Sequence, residues 1–308
     1  MHSKDIISMF DVDATAIWKI FKLTDSLIQK RKAGEDYAPL KGKSVALIFQ
    51  KPSTRTKVSF EAGIWQLGGN PIYLAPEEVG FGTRESIPDI ARVLSRYTSA
   101  IVARTFSHED IETLARFATV PVISGLSDMF HPCQILADIY TVWKHKGSIV
   151  DVNLVYVGDG SNNVSHSLIA GCAIMGMNIS IATPLSYPPD KSILEKARSI
   201  ALKTGSKIEI FCEPSQAALG ADVLYTDVWT SMGQEKEAEE RRKSFEGYQI
   251  NSSLIDIANK DCLIMHCLPA HRGEEITNDA IEGHSSIVFE QAENRLHVQK
   301  GIMVFLMC

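Results

Sequence analysis

Short apolar runs alternate with amphipathic helical segments along nearly the whole chain, and this rhythm limits the folds open to it. Residues 44–49, 70–74, 100–103 and 120–124 read as buried strands bounded by turn signals. Between them lie helical patterns. Asp13 to Lys30 puts Ile17, Ile20, Phe21, Thr24, Leu27 and Ile28 on one face, and Thr56 to Leu67 stops at Gly68-Gly69. Glu85 to Tyr97 turns Ile87, Ile90, Leu94 and Tyr97 inward, and His108 to Ala118 and Gln134 to Lys146 follow. The rhythm then restarts, with strands at 151–157, 178–182, 207–211, 223–226, 263–266 and 287–289. Its helices run to about Met177 and over 191–204 and 214–219, and the last begins after Gln291. Such alternation implies parallel sheets joined by right-handed crossovers. The expectation is an α/β chain of two Rossmann-like domains, 1–147 and 148–308, each a parallel sheet flanked by helices.

Composition narrows the function. The chain has 308 residues, 45% hydrophobic and 22% charged, which fits two globular domains and argues against disorder. A net charge of −6 disfavours a general nucleic-acid binder, yet permits one small basic pocket for an anion. Met1 to Ile6 is polar, no run approaches the ~18 apolar residues of a membrane span, and the apolar tail 302–307 is short. The six cysteines form no C-x-x-C pair, so free thiols and a cytoplasmic location are expected. The mixed-sign run from Glu235 to Lys243 reads as a solvated helix or loop.

In open parallel sheets ligands sit beyond the carboxyl ends of strands. After the first strand come Ser53-Thr54-Arg55-Thr56, opening a helix. Hydroxyls, free N–H groups and a guanidinium there suit a phosphate. A plain N-cap is the competing reading, and it leaves an arginine in the first turn unexplained, because a cation is unfavourable at that end. Arg104 follows the third strand, and His131-Pro132-Cys133-Gln134 follows the fourth. His131 is either a loop histidine with a local partner or one of three donors, with Arg104 and Gln134, converging on a developing oxyanion.

The second series opens with Gly158-Asp159-Gly160-Ser161-Asn162-Asn163. The third glycine and the ribose-binding acid of a dinucleotide site are missing, so a Rossmann-like backbone without the nucleotide is expected. Asn162 and Asn163 offer amides to a polar ligand, or serve the turn alone. Asp227 at a strand end suits an amine, or a cap. Cys267, in Met265-His266-Cys267-Leu268-Pro269-Ala270-His271, reads as a small buried hydrophobe or a nucleophile, and a zinc site there lacks a fourth ligand.

In this order the motifs resemble the aspartate/ornithine carbamoyltransferase family across essentially the whole chain. Ser53-Thr54-Arg55-Thr56 and His131-Pro132-x-Gln134 resemble the family at large. Asp227-x-x-x-Ser231-Met232-Gly233 and His266-Cys267-Leu268-Pro269 resemble its ornithine branch. The resemblance implies that Ser53, Thr54, Arg55 and Thr56 hold the phosphate of carbamoyl phosphate. It implies that Arg104, His131 and Gln134 polarise the carbonyl oxygen, that Cys267 and Leu268 bind the carbamoyl amide, and that Arg295 adds a charge. Asn163, Asp227, Ser231 and Met232 would grip L-ornithine, with Asp227 and Cys267 near its δ-amine. It also implies a last helix that returns to the first domain, no cofactor and no metal. Finally it implies a homotrimer whose sites are completed by a neighbour's loop, here 74–85. At the position where many relatives carry glutamine this chain has Gly80, which leaves the contact to a residue such as Thr83 or Arg84.

The implied chemistry needs no covalent intermediate. A neutral amine attacks the carbamoyl carbon, a tetrahedral intermediate forms and phosphate leaves, giving citrulline. Two substrates must be positioned, an oxyanion stabilised and an amine of ordinary pKa near ~10 kept unprotonated. Cys267, as thiolate or hydrogen-bond partner, is the candidate for the last task. The alternatives within the family are putrescine or N-acylated ornithine as acceptor, and outside it a dehydrogenase or a non-catalytic binding protein.

Overall fold

The structure is a computed structural model of the chain and describes residues 3–51, 53–81, 84–230 and 235–308. Its contacts divide the chain into two compact units, Met1–Tyr140 with Glu293–Cys308, and Thr141–Ala292. The elements of the first half are α1 (Ala14–Lys32), β1 (Ser44–Phe49), α2 (Thr54–Gln66), β2 (Asn70–Leu74), α3 (Pro76–Val79) and α4 (Ile87–Tyr97). They continue as β3 (Ala100–Arg104), α5 (His108–Phe117), β4 (Val122–Leu126) and α6 (Pro132–Lys146). Then come β5 (Asn153–Val157), α7 (Asn163–Met175), β6 (Asn178–Ala182), α8 (Lys191–Thr204), β7 (Ile208–Phe211), α9 (Pro214–Ala218) and β8 (Val223–Thr226). The chain ends with α10 (Ala238–Ser244), α11 (Ser252–Ile255), β9 (Leu263–His266), α12 (Asn278–Glu282) and α13 (Val288–Met307).

Both sheets are parallel, ordered β2-β1-β3-β4 in the first unit and β7-β6-β5-β8-β9 in the second. The helices start where the sequence supplies caps. Asp13, Ser53, Ser86, Ser107, Asn162 and Asp190 each accept a backbone N–H of the first turn. Helices α7 and α8 stop at Gly176 and Gly205, both left-handed. The apolar residues of β1 and β3 are buried to the last, as strands covered on both faces require. Residues 293–308, most of α13, belong to the first unit.

Four expectations change. The fourth strand is Val122–Leu126 rather than 120–124, since Pro121 has no N–H for the ladder and enters only through its carbonyl, which accepts from Ile101 N. Tyr97 does not face inward. It is 75% exposed, and Thr98, with its hydroxyl on the carbonyl of Leu94, takes the buried place at the end of α4. Residues 287–289 are not a strand. A single bridge joins Ser286 to Ile264, and α13 starts at Val288 with Phe289 exposed. The run 235–243 is not wholly solvated, because Arg241 is buried.

Candidate active site

In each sheet the strand order reverses at one point, between β1 and β3 and between β5 and β8. The loops leaving neighbouring strands there part to opposite faces and open a crevice. The sequence places its polar motifs at these strand ends.

In the first unit Phe49 of β1 pairs with Arg104 of β3, and Gln50 N donates to the carbonyl of Arg104 at 2.8 Å. Ser53 caps α2 by accepting from Thr56 N at 3.3 Å. Thr54 and Arg55 are exposed on the first turn and Thr56 is buried. The Thr56 hydroxyl accepts from Arg295 Nη2 of α13 at 2.9 Å. Arg104, 7% exposed, sits where the β3–β4 register slips past Gly125. A β-carbon on Gly125 would stand 3.3 Å from Thr56 Cγ2 and 3.6 Å from Arg104 Cβ, so glycine lets the two side chains share this corner. His131 is buried just before α6, and Gln134 in its first turn donates to Asp138 Oδ1 at 2.8 Å. Arg104 Nε and Gln134 Oε1 are buried with no hydrogen-bond partner among the described residues, as expected of groups awaiting a ligand.

Electrostatics joins this set. Burial, then the guanidiniums of Arg295 and Arg55, pull Arg104 down to about 10. Burial, then Arg295, Arg104 and Arg55, hold His131 well below the ordinary histidine range. None of these influences is a carboxylate. Three cations around a neutral imidazole are costly alone and favourable around a dianion. Cys133 beside them is structural: burial pushes its thiol up to about 12, and Sγ donates to the carbonyl of Ser124 at 3.3 Å.

In the second unit the Gly-rich turn after β5 is already saturated. Gly158 N donates to Ala182 O, Gly160 N to Thr183 Oγ1 at 3.0 Å and Ser161 N to Asp159 Oδ1 at 2.8 Å. These three N–H groups are therefore not available to a pyrophosphate. Asn162 caps α7, accepting from Ser165 N at 2.8 Å. Its amide donates to Tyr156 OH at 2.7 Å and, more distantly, to Asp227 Oδ2 at 3.5 Å. Asn163 is half-buried at the start of α7. Asp227 and Cys267, both buried, leave the adjacent strands β8 and β9, and Cys267 Sγ donates to Asp227 Oδ1 at 3.0 Å. Burial raises the Asp227 carboxyl, while His266, Cys267 and Val228 N act to lower it. Leu268 follows at φ 56°, a strained value for a branched residue. Ser231 and Met232 lie outside the described residues.

Sequence reasoning missed what stands behind these groups. His266 Nδ1 accepts from Leu268 N at 2.8 Å, so its Nε2 donates to Glu275 Oε1 at 3.1 Å, and both side chains are fully buried. Gln291 accepts from His266 N at 2.9 Å. Asp227, His266 and Cys267 bring ligand-type atoms within 4.8 Å of one another, but both nitrogens of His266 are already engaged. Arg241 pairs with Asp159 and donates from Nε to the carbonyl of Trp229 at 2.5 Å, its guanidinium 4.7 Å from the Tyr187 ring centroid. No local signal in a mixed-charge run or a loop glutamate marks these residues.

Among the described residues no helix is long and apolar enough to cross a membrane. Two family descriptions match the chain: aspartate/ornithine carbamoyltransferase, carbamoyl-P binding domain, over residues 4–144, and the Asp/Orn binding domain of the same family over 150–306. A Pyrococcus furiosus protein named "Ornithine carbamoyltransferase, anabolic" is 49% identical over 100% of this chain and 97% of its own length. An Oceanobacillus iheyensis ornithine carbamoyltransferase is 50% identical over 100% and 95%. The solved Pyrococcus furiosus ornithine carbamoyltransferase superposes with a TM-score of 0.95 at 49% identity, covering 99% of this chain and 97% of that one. The Gloeobacter violaceus enzyme superposes with 0.88 at 43% identity, covering 99% and 98%. With two parallel sheets whose strand ends carry these groups, and with relatives matched end to end, the chain belongs to the aspartate/ornithine carbamoyltransferase family.

Proposed function

We infer that the chain transfers the carbamoyl group of carbamoyl phosphate to the δ-amine of L-ornithine, giving L-citrulline and phosphate. Full-length relatives named for this activity support the reaction. The observation that carries the first substrate is the set Arg55, Arg104 and Arg295 around a neutral His131, which matches a dianion bearing a polarisable carbonyl. In this reading Ser53, Thr54, Arg55 and Thr56 take the phosphoryl oxygens, with Arg295 braced on Thr56 adding charge. Arg104, His131 and the second amide N–H of Gln134, beside the one given to Asp138, donate to the carbonyl oxygen as it gains charge in the tetrahedral intermediate. His131 acts as a neutral donor. Cys267 and Leu268 meet the carbamoyl amide.

The second substrate is a dibasic amino acid. Asp227 offers a buried carboxylate that burial makes costly to ionise, so an ammonium relieves it. Asn163, Ser231 and Met232 complete the ornithine set. The amine must lose its proton before it attacks, and the Asp227–Cys267 pair is the group we assign to that end. The name of the Pyrococcus relative favours the biosynthetic direction. Six free cysteines fit a reducing, cytoplasmic setting. We further propose domains 1–147 and 148–308, and a homotrimer in which loop 74–85 reaches a neighbour. Gly80 fits a tight turn in that loop: its φ is 54°, and a β-carbon would stand 2.4 Å from Arg84 Cβ.

Colorimetric citrulline formation tests the reaction, with ornithine, acetylornithine, succinylornithine, putrescine and aspartate as acceptors and phosphate release followed in parallel. Turnover with ornithine alone is expected. Turnover with another amine keeps the anion site and replaces the acceptor, and silence with all five makes the chain a binding protein.

A further inference from the structure

The first unit holds a buried cation that the reaction does not use. Lys300 of α13 is 2% exposed, and its ammonium donates to Gln66 Oε1 at 2.9 Å. Its stem lies over Gly63 at the start of the last turn of α2, where a β-carbon would come 3.3 Å from Lys300 Cγ. The absence of a side chain at this position keeps the lysine's place open. The charge that acts on this ammonium is another cation, Arg31 at the end of α1, and burial and Arg31 together lower it to about 8. Two like charges close enough to act on one another, one exposed and one largely buried, favour an anion beside them.

Space for that anion is present. Arg31, Lys300 and Gln66 line a cavity of about 550 Å³ whose wall includes Trp65, 71% exposed, and Tyr37. That volume suits a small organic molecule. Of the carboxylates at the cavity, Glu35 is taken by Lys30 at 2.9 Å, and Asp36 is exposed. Lys30 also covers the Tyr37 ring, at 4.7 Å from its centroid. Trp65 therefore remains as the open aromatic face. The cavity is distinct from the carbamoyl phosphate set, which sits at the other end of α2: ten residues of helix separate Arg55 from Trp65, about 15 Å.

We propose that this cavity is a second ligand site, which takes a small organic oxyanion against Lys300 and Arg31 with a flat ring on Trp65. Carboxylate and phosphate share this chemistry, and phenylacetate and phenyl phosphate represent them. Each is titrated into the full-length protein while tryptophan fluorescence is followed at the red edge of indole absorption, with benzyl alcohol as the uncharged control. A saturable change is expected with at least one oxyanion and none with the alcohol. The change should be absent in W65F and at least about tenfold weaker in affinity in K300M and in R31Q. The stronger of the two probes identifies the oxyanion. Arg31 is exposed, so R31Q keeps the test valid if K300M does not fold. No saturable change with either oxyanion, an equal response to benzyl alcohol, or an affinity unmoved in both charge variants overturns the proposal.

Discussion

Cys267 Sγ and Asp227 Oδ1 lie 3.0 Å apart because the strands that deliver them are in register: Thr226 pairs with His266, so the next residue of each strand emerges beside the other. The thiol and Val228 N, at 2.8 Å, both give hydrogen bonds to Oδ1, while among the described residues Oδ2 has only the distant Asn162 amide at 3.5 Å. A buried carboxylate supported in this way is short of positive charge, and a substrate ammonium supplies it.

Asp227→Asn should therefore act on one substrate. The ornithine KM is expected to rise and turnover to fall by about a hundredfold or more, as when a charge partner is lost in a buried site. The carbamoyl phosphate KM should stay within about twofold, since the groups proposed for its phosphate, Ser53, Thr54, Arg55, Thr56 and Arg295, are untouched. Steady-state kinetics with each substrate varied decides the matter, and an unchanged ornithine KM and kcat would remove Asp227 from the site. Cys267→Ser, which keeps a donor but loses the polarisable sulfur, should shift the pH–rate profile. A superimposable profile with full turnover would reduce Cys267 to packing.

Thr56→Val tests the opposite ligand. It leaves the α2 cap intact, because Ser53 accepts from the backbone N–H of residue 56, and it removes the hydroxyl that Arg295 donates to. Freed of that anchor, Arg295 should hold the dianion less well. The carbamoyl phosphate KM and the inhibition constant for phosphate are expected to rise together by about tenfold, the scale of one charge-assisted hydrogen bond. A rise in the ornithine KM alone would contradict this assignment.

What the sequence made legible was local in origin. Strands β1, β2, β6, β8 and β9 carry their own apolar runs and turn signals, and their bounds were readable to the residue. Ser53 and Arg55 stand out because an N-cap and a cation in the same first turn conflict unless an anion is present. Other placements needed contacts between distant segments. Arg295 meets Thr56 across 239 residues of chain, and no spacing rule reaches that far. Glu275 is an ordinary loop acid until His266 turns its Nε2 toward it. Arg241 looks like one charge among many, because burial depends on Asp159 waiting after β5. Tyr97 fails for the complementary reason: helical period assigns a face, but Thr98 already fills the buried place at the end of α4.

That Arg241–Asp159 pair should matter for stability more than its sequence context suggests. Both side chains are almost fully buried, at 3% and 2% exposure. Removing one partner leaves the other charge without compensation, at a cost of about 3–5 kcal/mol. Arg241→Met and Asp159→Leu should each lower the urea midpoint strongly, while the two changes combined should cost less than the sum. Arg241 also holds the carbonyl of Trp229, two positions before Ser231. The ornithine KM of Arg241→Met, measured where the variant is still folded, should therefore rise as well. Additive single effects would show that the pair is not coupled.

The pH dependence follows from His131. Its folded-state pKa lies well below the ordinary value of 6.5, first through burial and then through Arg295, Arg104 and Arg55. The unfolded chain therefore binds a proton near pH 6.5 that the folded chain refuses. Stability attached to this residue is complete above that pH and is lost as pH falls beneath it, toward the depressed folded value. His131→Gln has no such proton to take up. The stability of the wild-type protein relative to His131→Gln should thus decline between about pH 7 and about pH 5, measured by denaturant midpoints at each pH. Turnover gives an independent check. A neutral imidazole that only donates should not titrate during catalysis, so the acidic limb of the wild-type pH–rate profile belongs to the amine substrate and Asp227. His131→Gln should lower turnover by about a hundredfold while leaving the position of that limb unchanged. A limb that moves with the substitution would mean that His131 exchanges a proton in the reaction.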